Sequence, residues 1–134
     1  MRYLADTHIV LWYLNGDSTL PETAKAIIDD EQNDVYFSLV SMWEIEIKHI
    51  AHPDIMKSSG YEVLEKCKVH DFSILPLDAE HIRLLHTLHR SDDAPKHTDP
   101  FDRMLISQAK AENMKFITHD SLIPYYHEPC ILSV

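Results

Sequence analysis

Glycine is almost missing. The chain's 134 residues hold two, Gly16 and Gly60. A loop that cradles phosphate with successive backbone N–H groups needs several glycines, so a P-loop or a dinucleotide-binding turn is excluded. Cysteine is as scarce. Cys67 and Cys130 have neither CxxC spacing nor the density of a disulfide scaffold, which points to a reducing compartment. No apolar run approaches the ~20 residues of a membrane span. The start, MRYLADTH, has no apolar core of a signal peptide. A cytoplasmic protein with no membrane partner is expected. Positive charge is short too: 12 Lys and Arg face 22 Asp and Glu, a net charge of −10. That argues against broad, nonspecific nucleic-acid binding. It leaves a nuclease open, because an acidic pocket filled by metal ions reverses its own local charge.

Hydrophobic content of 45% and charged content of 25% are ordinary for a globular chain. A single domain over 1–134 is expected. The residues RYLAD at 2–6 read as a short strand, and HIVLWYL begins a helix that NGDS closes. A helix fits 21–31 with Pro21 at its first position. VYFS at 35–38 is a strand, followed by a helix over 41–51 and another over 58–68. FSILPL at 72–77 is a strand, AEHIRLLHTLH at 79–89 a helix, and 90–98 a polar loop. A helix at 101–113, the strand KFIT at 115–118 and a short strand at 130–133 complete the chain. Alternating strands and helices imply βαβ units, so an α/β fold with a mainly parallel sheet covered on both faces.

In such a sheet, ligands bind beyond the carboxyl ends of the strands. Four carboxylates belong to that edge: Asp6 ends the first strand, Glu44 opens a helix, Asp102 opens another, and Asp120 follows KFIT by two residues. Each has a plainer reading. Ser41-x-x-Glu44 has the pattern of a capping box, with Trp43, Ile47, Ile50 and Ala51 as the apolar stripe of that helix and Glu44 at its edge. Asp6 and Asp120 suit turns. Asp99 reads as an N-cap with Pro100 behind it. Asp102 resists the capping explanation, because it points into the arc of Phe101, Met104, Leu105, Ile106 and Ala109. A buried carboxylate needs partners or it neutralises. Converging carboxylates repel one another unless a cation joins them, and oxygen-only ligands suit Mg²⁺ or Mn²⁺ rather than zinc.

Three stretches, L4-A-D-T-H-I-V-L-W12, S38-L-V-S-M-W-E-I-E-I-K48 and H97-T-D-P-F-D-R-M-L-I-S-Q-A109, resemble the PIN-domain ribonucleases, in particular the VapC-type toxins of toxin–antitoxin systems. The segment F116-I-T-H-D120 fits as well. The resemblance implies a three-layer α/β/α sandwich with a parallel sheet of order 3-2-1-4-5. It implies a metal-dependent endoribonuclease in which Asp6, Glu44, Asp102 and Asp120 hold one or two Mg²⁺ or Mn²⁺ ions and are catalytic. A metal-activated water would attack the phosphorus in line. Asp99 would assist or cap, and Thr7 and Thr118 would support the carboxylates. The implied partners are RNA, a small antitoxin covering the acidic pocket, and a second copy of the chain. Trp12, Tyr13 and Trp43 are core residues first and antitoxin-groove residues second. His97 and His119 are loop residues first, with phosphate contact or proton transfer as the alternative. Lys48, Lys96 and Arg103 are solvated surface first, with RNA phosphate contact as the alternative.

Three rivals remain. An aspartyl-phosphate transferase lacks its DxD, since the sequence is Asp6-Thr7-His8. Histidine metal sites at His49/His52 or His86/His89 lack an HExxH. A catalytically degenerate PIN fold serving as a binding or scaffold module would be rescued if Glu44 and Asp102 only capped helices.

Overall fold

The computed structural model describes residues 1–134. β1 (Arg2–Ala5) lies at the centre of a five-stranded sheet. It pairs in parallel with β2 (Asp34–Ser38) on one side and β4 (Lys115–Thr118) on the other. β3 (Ser73–Leu75) extends the sheet beyond β2, and β5 (Ile131–Ser133) beyond β4, both in parallel. The order is therefore 3-2-1-4-5, as expected. No helix is long and apolar enough to cross a membrane.

Strand alternation divides the apolar residues between two faces. Ala5, Val35, Phe37 and Ile117 face a core shared with α1 (Thr7–Asn15), α2 (Glu22–Asp29) and α4 (Gly60–Val69). Leu4 and Phe116 face the other core, shared with α6 (Pro100–Glu112) and the 3₁₀ turn Ile123–Tyr126. α3 (Leu39–Ala51) bridges them, giving Ile45 to the first core and Val40 to the second. α5 (Ala79–Arg83) packs on α6.

Four local expectations need correction. The helix expected over 79–89 ends at Arg83 and continues as a 3₁₀ turn, Leu84–Thr87. Pro21 is the N-cap of α2, not its first helical residue. α3 begins earlier than expected: Ser38 is its N-cap and accepts from the Val40 N–H at 3.0 Å. Ser41 is thus inside the helix, and Ser41-x-x-Glu44 is not a capping box. The face of α3 is also reversed. Val40, Ser41, Glu44 and Ile45 are buried, whereas Trp43, Ile47 and Ile50 are 59%, 42% and 73% exposed. Trp43 is not a core residue. The helix carries apolar residues on both sides, and the side it buries also holds Ser41 and Glu44, which bond to Thr7.

The two glycines are both needed. Gly16 ends α1 at φ +62°, its N–H reaching the Trp12 and Tyr13 carbonyls. Gly60 starts α4 against α3; a Cβ there would lie 2.4 Å from the Met42 carbonyl oxygen, a backbone atom that cannot swing aside. Gly60→Ala is therefore expected to lower stability by about 1–3 kcal/mol, as overpacking does. Gly16→Ala, which meets open space, should cost only about 1 kcal/mol of left-handed strain. Urea unfolding of both variants checks the ranking.

Candidate metal centre

Asp6 follows β1 directly and caps α1. Its Oδ1 accepts the Thr7 N–H at 2.8 Å and its Oδ2 accepts the Thr118 hydroxyl at 2.7 Å. Thr118, the last residue of β4, also accepts the Asp120 N–H at 3.1 Å through the same hydroxyl oxygen. Central pairing of β1 with β4 thus brings the two strand ends, and their carboxylates, to one edge. Thr7 turns the other way: its hydroxyl lies 2.7 Å from Glu44 Oε1 and 2.8 Å from Ser41 Oγ. Lys48, one turn on, holds Glu44 Oε2 at 2.7 Å. Glu44 is buried, while Lys48 is 42% exposed.

Asp99 is the N-cap of α6, its Oδ1 accepting from the N–H groups of Phe101 and Asp102 at 2.8 and 3.2 Å. That frees the Asp102 side chain from capping. It turns inward, where its Oδ2 lies 3.1 Å from His97 Nε2. His97 Nδ1 is 2.8 Å from the Tyr126 hydroxyl, which accepts from Arg103 Nη1 at 3.2 Å. The Tyr126 hydroxyl and the Asp102 carboxylate thus bracket the imidazole at its two ring nitrogens and fix its orientation. The His97 side chain is 4% exposed, so it is no surface-loop residue. Burial lowers its pKa below the ordinary histidine value.

The electrostatics are those of crowded anions. Burial raises the Asp6 carboxyl to about 6, with hydrogen bonds from Thr118 and Thr7 opposing it. Asp102 is pushed up to about 8, first by burial and then by the charges of Asp6, Asp99, Glu44 and Asp120. Such a set either keeps protons or takes a cation. His97, Asp102 and Asp120 offer ligand atoms within 4.8 Å of one another. Two carboxylates and one imidazole, with Asp6 and Glu44 close enough to act on Asp102, suit a hard or borderline divalent ion. The donor set therefore fits a metal, with a nitrogen that an oxygen-only site lacks.

A family model of the PIN domain matches residues 3–126. The chain belongs to the PIN-domain family. PIN domains are generally nucleases that use divalent metals. A search of curated sequences gave no significant match. Among solved structures, the PIN chain is similar to VapBC2 from Rickettsia felis bound to a promoter DNA fragment (16% identity, TM-score 0.65, covering 100% of this chain and 98% of that one). It is also similar to FitAcB from Neisseria gonorrhoeae (18%, 0.59, 98% and 96%). A domain of a functionally unknown protein from Methanocaldococcus jannaschii aligns at 17% identity and TM-score 0.58, over 99% of this chain and 90% of that one. At these identities the likeness is one of fold.

The other expected residues fall at varied distances from the PIN domain's acidic edge. His119 is exposed, bonds through Nδ1 to the Val134 carbonyl and packs edge-on to Trp12 at 5.9 Å. Lys96 is exposed. Trp12 and Tyr13 are half-buried against the first core. His49 and His86 bind backbone carbonyls, of Met56 and Arg83, and neither rival histidine pair joins a ligand cluster. Sequence reasoning missed Tyr126 and Arg90. Arg90 lies over the Tyr126 ring at 5.5 Å, and its Nε and Nη2 are buried without an acceptor.

Proposed function

We propose that this chain is a metal-dependent endoribonuclease acting as the toxin of a toxin–antitoxin pair. The observation that carries the reading is Asp102, buried and raised to about 8 among four other carboxylates although Asp99 already starts the helix. Asp6, Glu44, Asp102 and Asp120 are the proposed metal-holding and catalytic residues, for one or two Mg²⁺ or Mn²⁺ ions. The ion supplies Lewis acidity, making water a better nucleophile and offsetting phosphate charge. Thr118 and Thr7 fix Asp6 and Glu44. Asp99 keeps the α6 start rigid. His97, aimed by Tyr126, sets its Nε2 against Asp102 and orients that carboxylate. Hydrolysis in this manner leaves 5′-phosphate and 3′-hydroxyl ends.

The proposal extends to a single functional domain over 1–134, a cytoplasmic setting, a homodimer and an antitoxin partner. Support for the antitoxin comes from a largely apolar groove of about 340 Å³ lined by Trp43, Leu77, Leu85, Phe101 and Met104, with Arg103 at its wall. One observation favours the second reading, a catalytically degenerate binding module: Lys48 already neutralises Glu44.

The test uses chain freed of any antitoxin, with end-labelled RNA in Mg²⁺ or Mn²⁺. Cleavage at discrete sites, abolished by EDTA and by Asp6→Asn, is the expected result. Absence of cleavage, together with no metal-induced rise in melting temperature, would favour the binding module.

A further inference from the structure

The chain has four arginines. Arg2 pairs with Glu112 and Arg83 with Glu80. The two nearest the acidic edge, Arg90 and Arg103, form no ion pair with any carboxylate. In a chain with 22 acids and 12 basic residues, unpaired guanidinium groups are the unexpected kind. Both are held instead by the ring of Tyr126, at 5.5 and 5.6 Å from its centroid. An aromatic face attracts a cation without using its N–H donors. Arg103 gives one donor to the Tyr126 hydroxyl. Arg90 gives none: Nε and Nη2 are buried without an acceptor, and Nη1 makes no hydrogen bond. A buried donor without an acceptor is a cost that native structures seldom keep.

The acceptor must be anionic, planar or tetrahedral, and brought in from outside. We propose that Arg90 and Arg103, held on Tyr126, form a clamp for a phosphate of the RNA backbone next to the linkage cut at the carboxylates. The inference rests on the ribonuclease reading. Guanidinium is the side chain suited to phosphate, because its fork of donors matches two phosphate oxygens. The geometry also solves a problem of charge. A polyanion approaching a cluster of carboxylates is repelled, and two cations without carboxylate partners, near enough to act on His97, supply local attraction. Tyr126 links the two functions, since the residue that carries the cations also orients His97 toward Asp102.

The experiment compares wild type, Arg90→Gln and Arg90→Lys. Steady-state cleavage of a mixed-sequence single-stranded RNA is measured in Mn²⁺, and binding of the same RNA by anisotropy in Ca²⁺ over a salt series. For Arg90→Gln, KM should rise about tenfold with kcat within about twofold, the pattern of lost ground-state binding. The slope of log affinity against log salt should shrink by about 0.7, the value of one single-strand phosphate contact. Arg90→Lys should keep the slope and lose part of the affinity, which also guards against misfolding as the cause. Single-stranded DNA of the same sequence should lose affinity equally, because the clamp reads phosphate. Wild-type KM and salt slope in Arg90→Gln would overturn the clamp alone. So would a fall in kcat accompanied by a smaller metal-induced rise in melting temperature, which marks a structural role. Failure of wild type both to bind and to cleave would overturn the ribonuclease reading and the clamp with it.

Discussion

Asp102→Asn should make the metal-free chain more stable at pH 8 and make it inactive. The Asp102 carboxyl has a folded pKa of about 8, against 3.8 for the free side chain. Between those values the native state binds a proton that the unfolded state has released, so stability falls as pH rises through the window. It levels off above about 8. Asp6, at about 6, adds the same sign over the lower half of the range. Asparagine stays neutral at every pH, which removes the larger part of the slope. The helix start survives, because the Asp99 carboxylate and not Asp102 receives the first N–H groups. Urea midpoints in EDTA at pH 5, 6.5, 8 and 9 would show a falling line for wild type and a flatter one for the variant, crossing before pH 8. Added Mg²⁺ or Mn²⁺ should reverse the order, raising wild type far more. Cleavage should drop by on the order of 10³-fold, the equivalent of several kcal/mol of lost charge stabilisation. A variant that cleaves normally would return Asp102 to a structural role.

Gln108→Ala should be among the most damaging substitutions that touch no proposed ligand. Gln108 is fully buried on α6. Its Oε1 accepts the Ser38 hydroxyl at 2.5 Å, and its Nε2 lies 3.2 Å from His81 Nδ1 and 3.4 Å from the Pro76 carbonyl. Ser38 is the cap of α3, the helix that carries Glu44. His81, 1% exposed, accepts the Asp78 N–H at Nδ1 and meets Glu112 at Nε2, while the Ser107 hydroxyl binds its carbonyl. One amide therefore joins α6, the α3 start and the α5 start. Alanine leaves the Ser38 hydroxyl proton without an acceptor, removes one of the two groups that meet His81 Nδ1, and opens a cavity. The cost is about 2–4 kcal/mol, or a melting temperature lower by roughly 10 °C. Gln108→Met, which restores volume without the hydrogen bonds, should recover only part. Calorimetry of the two separates packing from polar loss; a cost below about 1 kcal/mol for alanine would show that the network is not a tie.

Much of the fold and of the acidic edge is legible in the sequence, for physical reasons that differ by residue. β1, β2 and β4 announce themselves through branched and aromatic residues ended by Asp6, Ser38 and Thr118. Asp102 stood out because a carboxylate within an apolar arc violates the helical pattern, and the structure buries it. α3 misled for the opposite reason. Its large apolar residues obey the helical period, yet Trp43, Ile47 and Ile50 face outward while Val40, Ser41, Glu44 and Ile45 are buried. Periodicity finds an apolar stripe but not whether the stripe meets this chain or something else. Tyr126 and Arg90 lay in segments with no period at all. Their roles follow from long-range contacts, 29 residues apart for Tyr126 and His97, that no local pattern encodes.

The bond from Thr118 to Asp6 spans 112 positions of chain. Closing so large a loop is slow, and it cannot begin until its far end exists. During synthesis β1 and β2 can meet early, but the place between β1 and β5 stays empty until β4 is made. A nascent chain that has emerged only as far as α6 has Asp6 without Thr118, and no Asp120. The order of the strands therefore works as a timer. Whatever chemistry the acidic edge performs is withheld until β4 and the Asp120 that follows it have been made and docked.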